Sequence, residues 1–190
     1  MKKFFYLFLI LCLGAAVMTS CSEKNTPSGE TEKPDDKEKT DGVPDAALLE
    51  FTFNANEDMF KVFAISLDYY DTNGKIQNHE LKDTAACSLY VISTGLPATL
   101  GYRINFTRRP NVDLSQFTQF RVLYKYKHRS CAIDANDEPV GPDQARSIRT
   151  EELMDPEQID AWLEKYNAKP VAYRYEFDKD GKCTVKNWAD

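Results

Sequence analysis

The stretch Leu100-Gly101-Tyr102-Arg103-Ile104-Asn105-Phe106-Thr107 decides the fold class. Side chains alternate across a strand, so Leu100, Tyr102, Ile104 and Phe106 fall on one face and Gly101, Arg103, Asn105 and Thr107 on the other. A period of two with one apolar and one wet face is the mark of a half-buried strand in antiparallel sheet. The same alternation recurs at Phe120, Val122, Tyr124 and Tyr126, and again at Val171, Tyr173, Tyr175 and Phe177. Less regular apolar runs over Leu48–Phe53, Phe60–Tyr70, Cys87–Ser93 and Lys182–Trp188 predict further strands.

Turn chemistry separates these runs. Asp71-Thr72-Asn73-Gly74 and Asp178-Lys179-Asp180-Gly181 place glycine where a hairpin tip needs positive φ. One helix is well marked. Asp155 is its N-cap, Pro156 sits at the first position and Gln158 closes a capping box. Ile159, Trp162, Leu163 and Tyr166 then follow at helical spacing, giving one apolar face to lay on a sheet, and Pro170 ends it. The expected architecture is mainly β: an antiparallel sandwich or open barrel with one amphipathic helix near the C-terminus.

Outward from this domain the composition changes. The chain has 190 residues, a net charge of -6 and a mean hydropathy of -0.53, but those figures average three unlike pieces. Residues 46–190 form the single expected domain and hold 19 of the 23 aromatics, with 18 lysines and arginines against 22 acids. A net negative charge argues against nucleic acid as the general partner. Residues 22–45 lack any aromatic, leucine, isoleucine or methionine and carry eight acids against four lysines. Such a segment cannot offset its ordering entropy by burial; it predicts an acidic tether spanning at least roughly 25 Å.

The first residues read as an export signal. Lys2 and Lys3 precede the apolar run Phe4–Val17, which is short for a membrane span and suits the apolar region of a signal peptide. Met18-Thr19-Ser20-Cys21 then resembles the lipobox of bacterial lipoproteins, with Met18 in place of the commoner leucine. That resemblance covers only the first 21 residues. It implies cleavage after Ser20, acylation of Cys21 and anchorage to a membrane without crossing it, since each buried CH₂ contributes roughly 0.8 kcal/mol. Ser22-Glu23 is similar to the acidic export signal of surface lipoproteins in some Gram-negative gut bacteria, with Lys24 interrupting the acids. The implied location is the outer membrane, displayed at the cell surface or facing the periplasm.

Three cysteines remain in the domain, Cys87, Cys131 and Cys183, which allows one disulfide plus a free thiol or three buried thiols. Catalytic signatures are mostly broken. His79-Glu80-Leu81-Lys82-Asp83 has Asp83 where a zinc-protease motif needs its second histidine, and no GxSxG, SxxK or GxxxxGK occurs. An EF-hand alignment through Asp71, Asn73, Gly74 and Glu80 puts Tyr69 at the first ligand position, so neither catalysis nor a resident metal or cofactor is expected. Cys131 with His128 three residues before it is the one nucleophile pair on offer, and local spacing alone does not make it a site.

The surface signal is basic. Arg103 and Arg109, then Arg121, Lys125, Lys127 and Arg129, are expected on the outer faces of two neighbouring strands, with His128 nearby. Gathered on one face, six cations suit an anionic partner such as a uronic or sulfated glycan or lipid phosphates, with an envelope protein as the other partner class; a solvated face balanced by acids such as Glu176 is the structural alternative. Asp83-Thr84-Ala85 resembles the short motif that certain gut bacteria O-glycosylate, which would modify Thr84, while Asn105-Phe106-Thr107 fits only the eukaryotic sequon. The functional expectation is a membrane-anchored, non-catalytic binding or assembly module of the envelope. An enzyme acting on glycans or peptides, or a lipocalin-like carrier of an apolar ligand, are the alternatives.

Overall fold

A computed structural model of the chain describes residues 42–82 and 86–188. The signal, Cys21, most of the tether and Thr84 lie outside the described residues. Nine strands and two helices follow in order: β1 Ala46–Ala55, α1 Glu57–Val62, β2 Phe63–Tyr70, β3 Ile76–Leu81, β4 Cys87–Ile92, β5 Ala98–Arg108, β6 Phe120–Ile133, β7 Pro139–Met154, α2 Ile159–Ala168, β8 Ala172–Phe177 and β9 Cys183–Lys186. They form two antiparallel sheets, one in the order β4-β1-β6-β7 and the other β3-β2-β5-β8-β9. The architecture is therefore a β-sandwich.

The alternation that marked β5 puts Leu100, Tyr102, Ile104 and Phe106 in the core, each at most 3% exposed. Opposite them the second sheet contributes Leu49, Phe51 and Phe53 from β1 and Phe120, Val122, Tyr124 and Tyr126 from β6. Ring contacts cross the gap, with Phe51 against Tyr102 and Phe53 against Phe106. Aromatic rings fill the space between the sheets, the opposite of what a carrier with a hollow interior needs. Among the described residues every strand lies within residues 46–186, so a chain starting at Ser22 keeps all of the described core.

α2 begins at the predicted place. Asp155 and Gln158 form the reciprocal capping box on a short 3₁₀ turn, Pro156–Gln158, that leads into it. Trp162 packs on Phe63 and Phe106, and the Tyr166 hydroxyl donates to the Ile104 carbonyl at 2.9 Å while accepting from Val171 N at 3.3 Å. The helix thus rests beside the second half of β5, and β8 pairs with the first half, Ala98–Arg103. Glycine is required where β8 runs close: a Cβ on Gly101 would lie 2.3 Å from the Tyr173 carbonyl oxygen. Both predicted hairpin tips are present, with Gly74 at φ 71° and Gly181 at φ 76°.

Three local expectations change. Phe60–Val62, expected as strand, belongs to α1, because Glu57 and Asp58 open a turn and Lys61 reaches back to Glu57 at 2.9 Å while Met59 and Val62 are buried three residues apart. β3 and β7 are edge strands that no alternation announced, being largely exposed on both faces. Trp188 lies beyond β9 instead of within it. Among the described residues no helix is long and apolar enough to cross a membrane.

Candidate functional site

β6 is central in the four-stranded sheet, and its alternation is strict up to Ser130. Phe120, Val122, Tyr124, Tyr126 and His128 point inward, so Arg121, Lys125, Lys127 and Arg129 point out. The register places Arg149 of β7 opposite Lys125 and Ser147 opposite Lys127; on the other side β1 offers Asn54 and Thr52. Five cations therefore share this outer face, one more than the sequence singled out on β6.

Their pairing is uneven. Glu151 takes both Arg121 and Arg149, whose hydrogen bonds hold its carboxyl below the usual carboxylate range. Arg129 donates to Asp143 at 2.9 Å and approaches Glu50 at 3.7 Å. Lys125 and Lys127 have no acidic partner among the described residues. A depression of about 690 Å³ opens here, lined by Glu50, Thr52, Lys127, Arg129, Ala145 and Ser147, and the exposed Tyr90 stands opposite Glu50 on β4. Lys125 facing Arg149 is a like-charge cross-strand pair, an arrangement that costs stability unless an anion screens it.

Arg103 and Arg109 do not join this face, which corrects the expectation of neighbouring strands. The connection between β5 and β6 crosses from one sheet to the other, so strands consecutive in sequence lie in different layers. Arg103 lies on the outer face of the five-stranded sheet. Its Nε and Nη2 donate to one oxygen of Asp68 at 3.1 and 2.7 Å, and its guanidinium sits over the Trp188 ring. Burial pushes the Asp68 carboxyl up, but hydrogen bonds from Asn78, Arg103 and Asn105 outweigh it and hold the group ionised below its ordinary range. Arg109 sends Nε to the carbonyls of Phe60 and Phe63, tying the end of α1 to the start of β2. Glu176, expected to balance the basic face, instead pairs with Arg174 and Lys186 on its own sheet.

His128 is not a surface neighbour of these cations. It is 2% exposed and sits among Tyr102, Tyr126, Tyr173 and Tyr175, with the Tyr102 hydroxyl hydrogen-bonded to Nδ1. Burial and the nearby Arg146 guanidinium lower its pKa to about 4, so it is neutral at physiological pH. The Arg146 guanidinium lies over the Tyr173 ring, and the Tyr175 hydroxyl is buried without a hydrogen-bond partner among the described residues. Nothing in the sequence placed these four tyrosines together, because they come from β5, β6 and β8.

The Cys131–His128 pair dissolves in the structure. Cys131 packs with Ala46, Leu48 and Ile133 in a small second apolar cluster, and burial pushes its thiol up to about 11. Cys87, Cys131 and Cys183 are all free thiols, each raised by burial. The hairpin that invited a calcium reading spends its carboxylate on itself: Asp71 accepts from Asn73 N, Lys75 N and Gln77 Nε2. Among the described residues no three histidine, cysteine or acidic side chains converge to hold a metal. No protein-family profile matches the chain, and no curated protein or solved structure proved significantly similar to it.

Proposed function

We propose that the chain is a non-catalytic binding module of the cell envelope, held to a membrane by acyl chains on Cys21. Its ligand is an anionic glycan bearing uronate or sulfate, taken on the outer face of the four-stranded sheet. The observation that carries the reading is the pair Lys125 and Lys127, two lysines without an acidic partner among the described residues, beside Arg149 on a domain whose net charge is negative. Glu151 and Asp143 orient the flanking arginines, and Thr52, Ser147 and Asn54 add neutral hydrogen-bonding groups between them. Carboxylate and sulfate groups along a glycan then meet lysine and arginine donors in charge-assisted bonds.

The test is titration of residues 22–190 with a sulfated oligosaccharide, a polyuronate and a neutral glucan at low and at physiological ionic strength. The two anionic glycans are expected to bind, more weakly as salt rises, and the neutral one not to. Lys125→Glu with Lys127→Glu is expected to weaken binding at least about tenfold, since bonds to charged groups contribute roughly 1.5–3 kcal/mol each. No binding at low ionic strength, or equal binding by the doubly reversed variant, would end the proposal. For the anchor, Cys21→Ser expressed in a Gram-negative host is expected to lose palmitate labelling and leave the membrane fraction. Retention of the label would place the acyl chain elsewhere.

A further inference from the structure

We infer that two copies of this chain pair edge to edge through β7, antiparallel about a two-fold axis at Arg149, so that two four-stranded sheets become one. Among the described residues β7 is the longest strand, 16 residues, and it is an edge; the other three edges, β4, β3 and β9, have six, six and four residues. Exposed edges invite pairing, and proteins usually blunt them with proline, lysine, a bulge or short length. In β7 those devices sit at one end only. Pro139, Pro142 and the register shift opposite Cys131 occupy its start, whereas Gln144–Met154 runs in unbroken register against β6 with no proline and no lysine. Ile148 and Leu153, 38% and 61% exposed, lie on this second part.

The charges of β7 then choose the occupant. Edge protection uses charges that repel any incoming strand, but here the two signs are separated, with Arg146 and Arg149 first and Glu151 and Glu152 after. A second copy running antiparallel is the complement of that order. With the axis at Arg149, Arg146 of each copy faces Glu152 of the other, Ile148 faces Thr150, Ser147 faces Glu151 and Ala145 faces Leu153. Positions of like parity meet, so outer face continues into outer face. The one unfavourable pair, Arg149 against its own copy, has Glu151 beside it on both sides, and Glu151 already accepts from Arg149 within a chain. The pairing does not depend on any glycan, although it would join the two basic faces into one surface.

Sedimentation equilibrium of residues 22–190, without any polyanion, at concentrations up to on the order of 100 µM is the test. A dimer is expected. Arg146→Glu alone and Glu152→Arg alone are each expected to give monomer with an unchanged circular dichroism spectrum, and the double swap R146E/E152R to restore the dimer. Arg149→Cys is expected to cross-link two copies on mild oxidation, with Ser147→Cys failing to do so. A monomer throughout the range, or a dimer that survives both single swaps, overturns the inference. Failure here leaves glycan binding by the monomer untouched, and failure of glycan binding leaves the dimer untouched.

Discussion

Replacing Phe106 with alanine is expected to lower the stability of the domain by about 4 kcal/mol, the range for truncating a fully enclosed aromatic. Phe106 is 3% exposed and is the ring at which three layers meet. It touches Phe53 and Tyr124 from the four-stranded sheet, Phe63 from its own, and Trp162 and Tyr166 from α2, with centroids 4.6–6.4 Å away. None of these neighbours can collapse freely into the void. Tyr166 is pinned to the Ile104 carbonyl at 2.9 Å, and Phe63 and Tyr124 are fixed by their strands. Since domains of this size are stable by roughly 5–15 kcal/mol, the variant should stay folded near neutral pH with a much lower denaturation midpoint. Phe106→Leu, which keeps most of the volume, should cost less than half as much. Urea denaturation measures both. A loss below about 1.5 kcal/mol for the alanine variant would show that α2 can follow the cavity inward, and that the helix is not clamped as its hydrogen bonds indicate.

The same ring shows which parts of the fold were legible in the chain. Phe106 announces itself because β5 is buried on one face and wet on the other, and period two is then visible to anyone counting residues. β6 and β8 are legible for the same reason, as is α2, whose capping box and apolar stripe agree. β7 carries no such signal. At an edge, neither face of the strand is fully enclosed, so Arg146, Ile148, Thr150 and Glu152 occupy the inward positions without any one residue type being demanded. α1 was hidden inside an apolar run because Phe60 and Val62 are as compatible with strand as with a helical turn until Glu57 and Lys61 are paired.

The site was legible residue by residue but not as an assembly. That Arg121, Lys125, Lys127 and Arg129 share a face follows from alternation within one strand. Whether Arg103 lies beside them depends on which sheet β5 enters, a matter of pairing between β5 and β2, more than thirty residues apart. Local pattern holds no information on that. Arg149, the fifth cation, sits on the strand the pattern could not show. His128 is the sharpest case: it occupies the inward position of an alternation already recognised at Tyr126, and continuing the count by one more step places it in the core.

That burial makes His128 an acid sensor of stability. In the unfolded chain its imidazole titrates near 6.5, whereas in the fold its pKa is lowered to about 4 by burial and by Arg146. The folded state therefore resists the proton. Stability from this group is complete above the unfolded pKa of 6.5 and is lost progressively as pH falls toward 4. Between pH 7 and pH 5 the loss is expected to be about 2 kcal/mol. The groups facing the ring are Tyr102, Tyr126, Tyr173, Tyr175 and Arg146, and burial raises the phenols of Tyr102, Tyr126 and Tyr175 well away from this window. Asp68 and Glu151 are held below their ordinary values and add acid lability only at lower pH, so the window isolates the histidine. The mechanism is local as well as electrostatic. The Tyr102 hydroxyl is hydrogen-bonded to Nδ1, and a charged ring can only donate at that nitrogen, so protonation removes its capacity to accept there. His128→Gln keeps an acceptor for Tyr102 and removes the titration, so its denaturation midpoint should be flat from pH 7 to pH 5 while the parent's falls. Equal stability of the parent at the two pH values would mean that water reaches the ring and that this end of the sandwich opens far more than its packing shows.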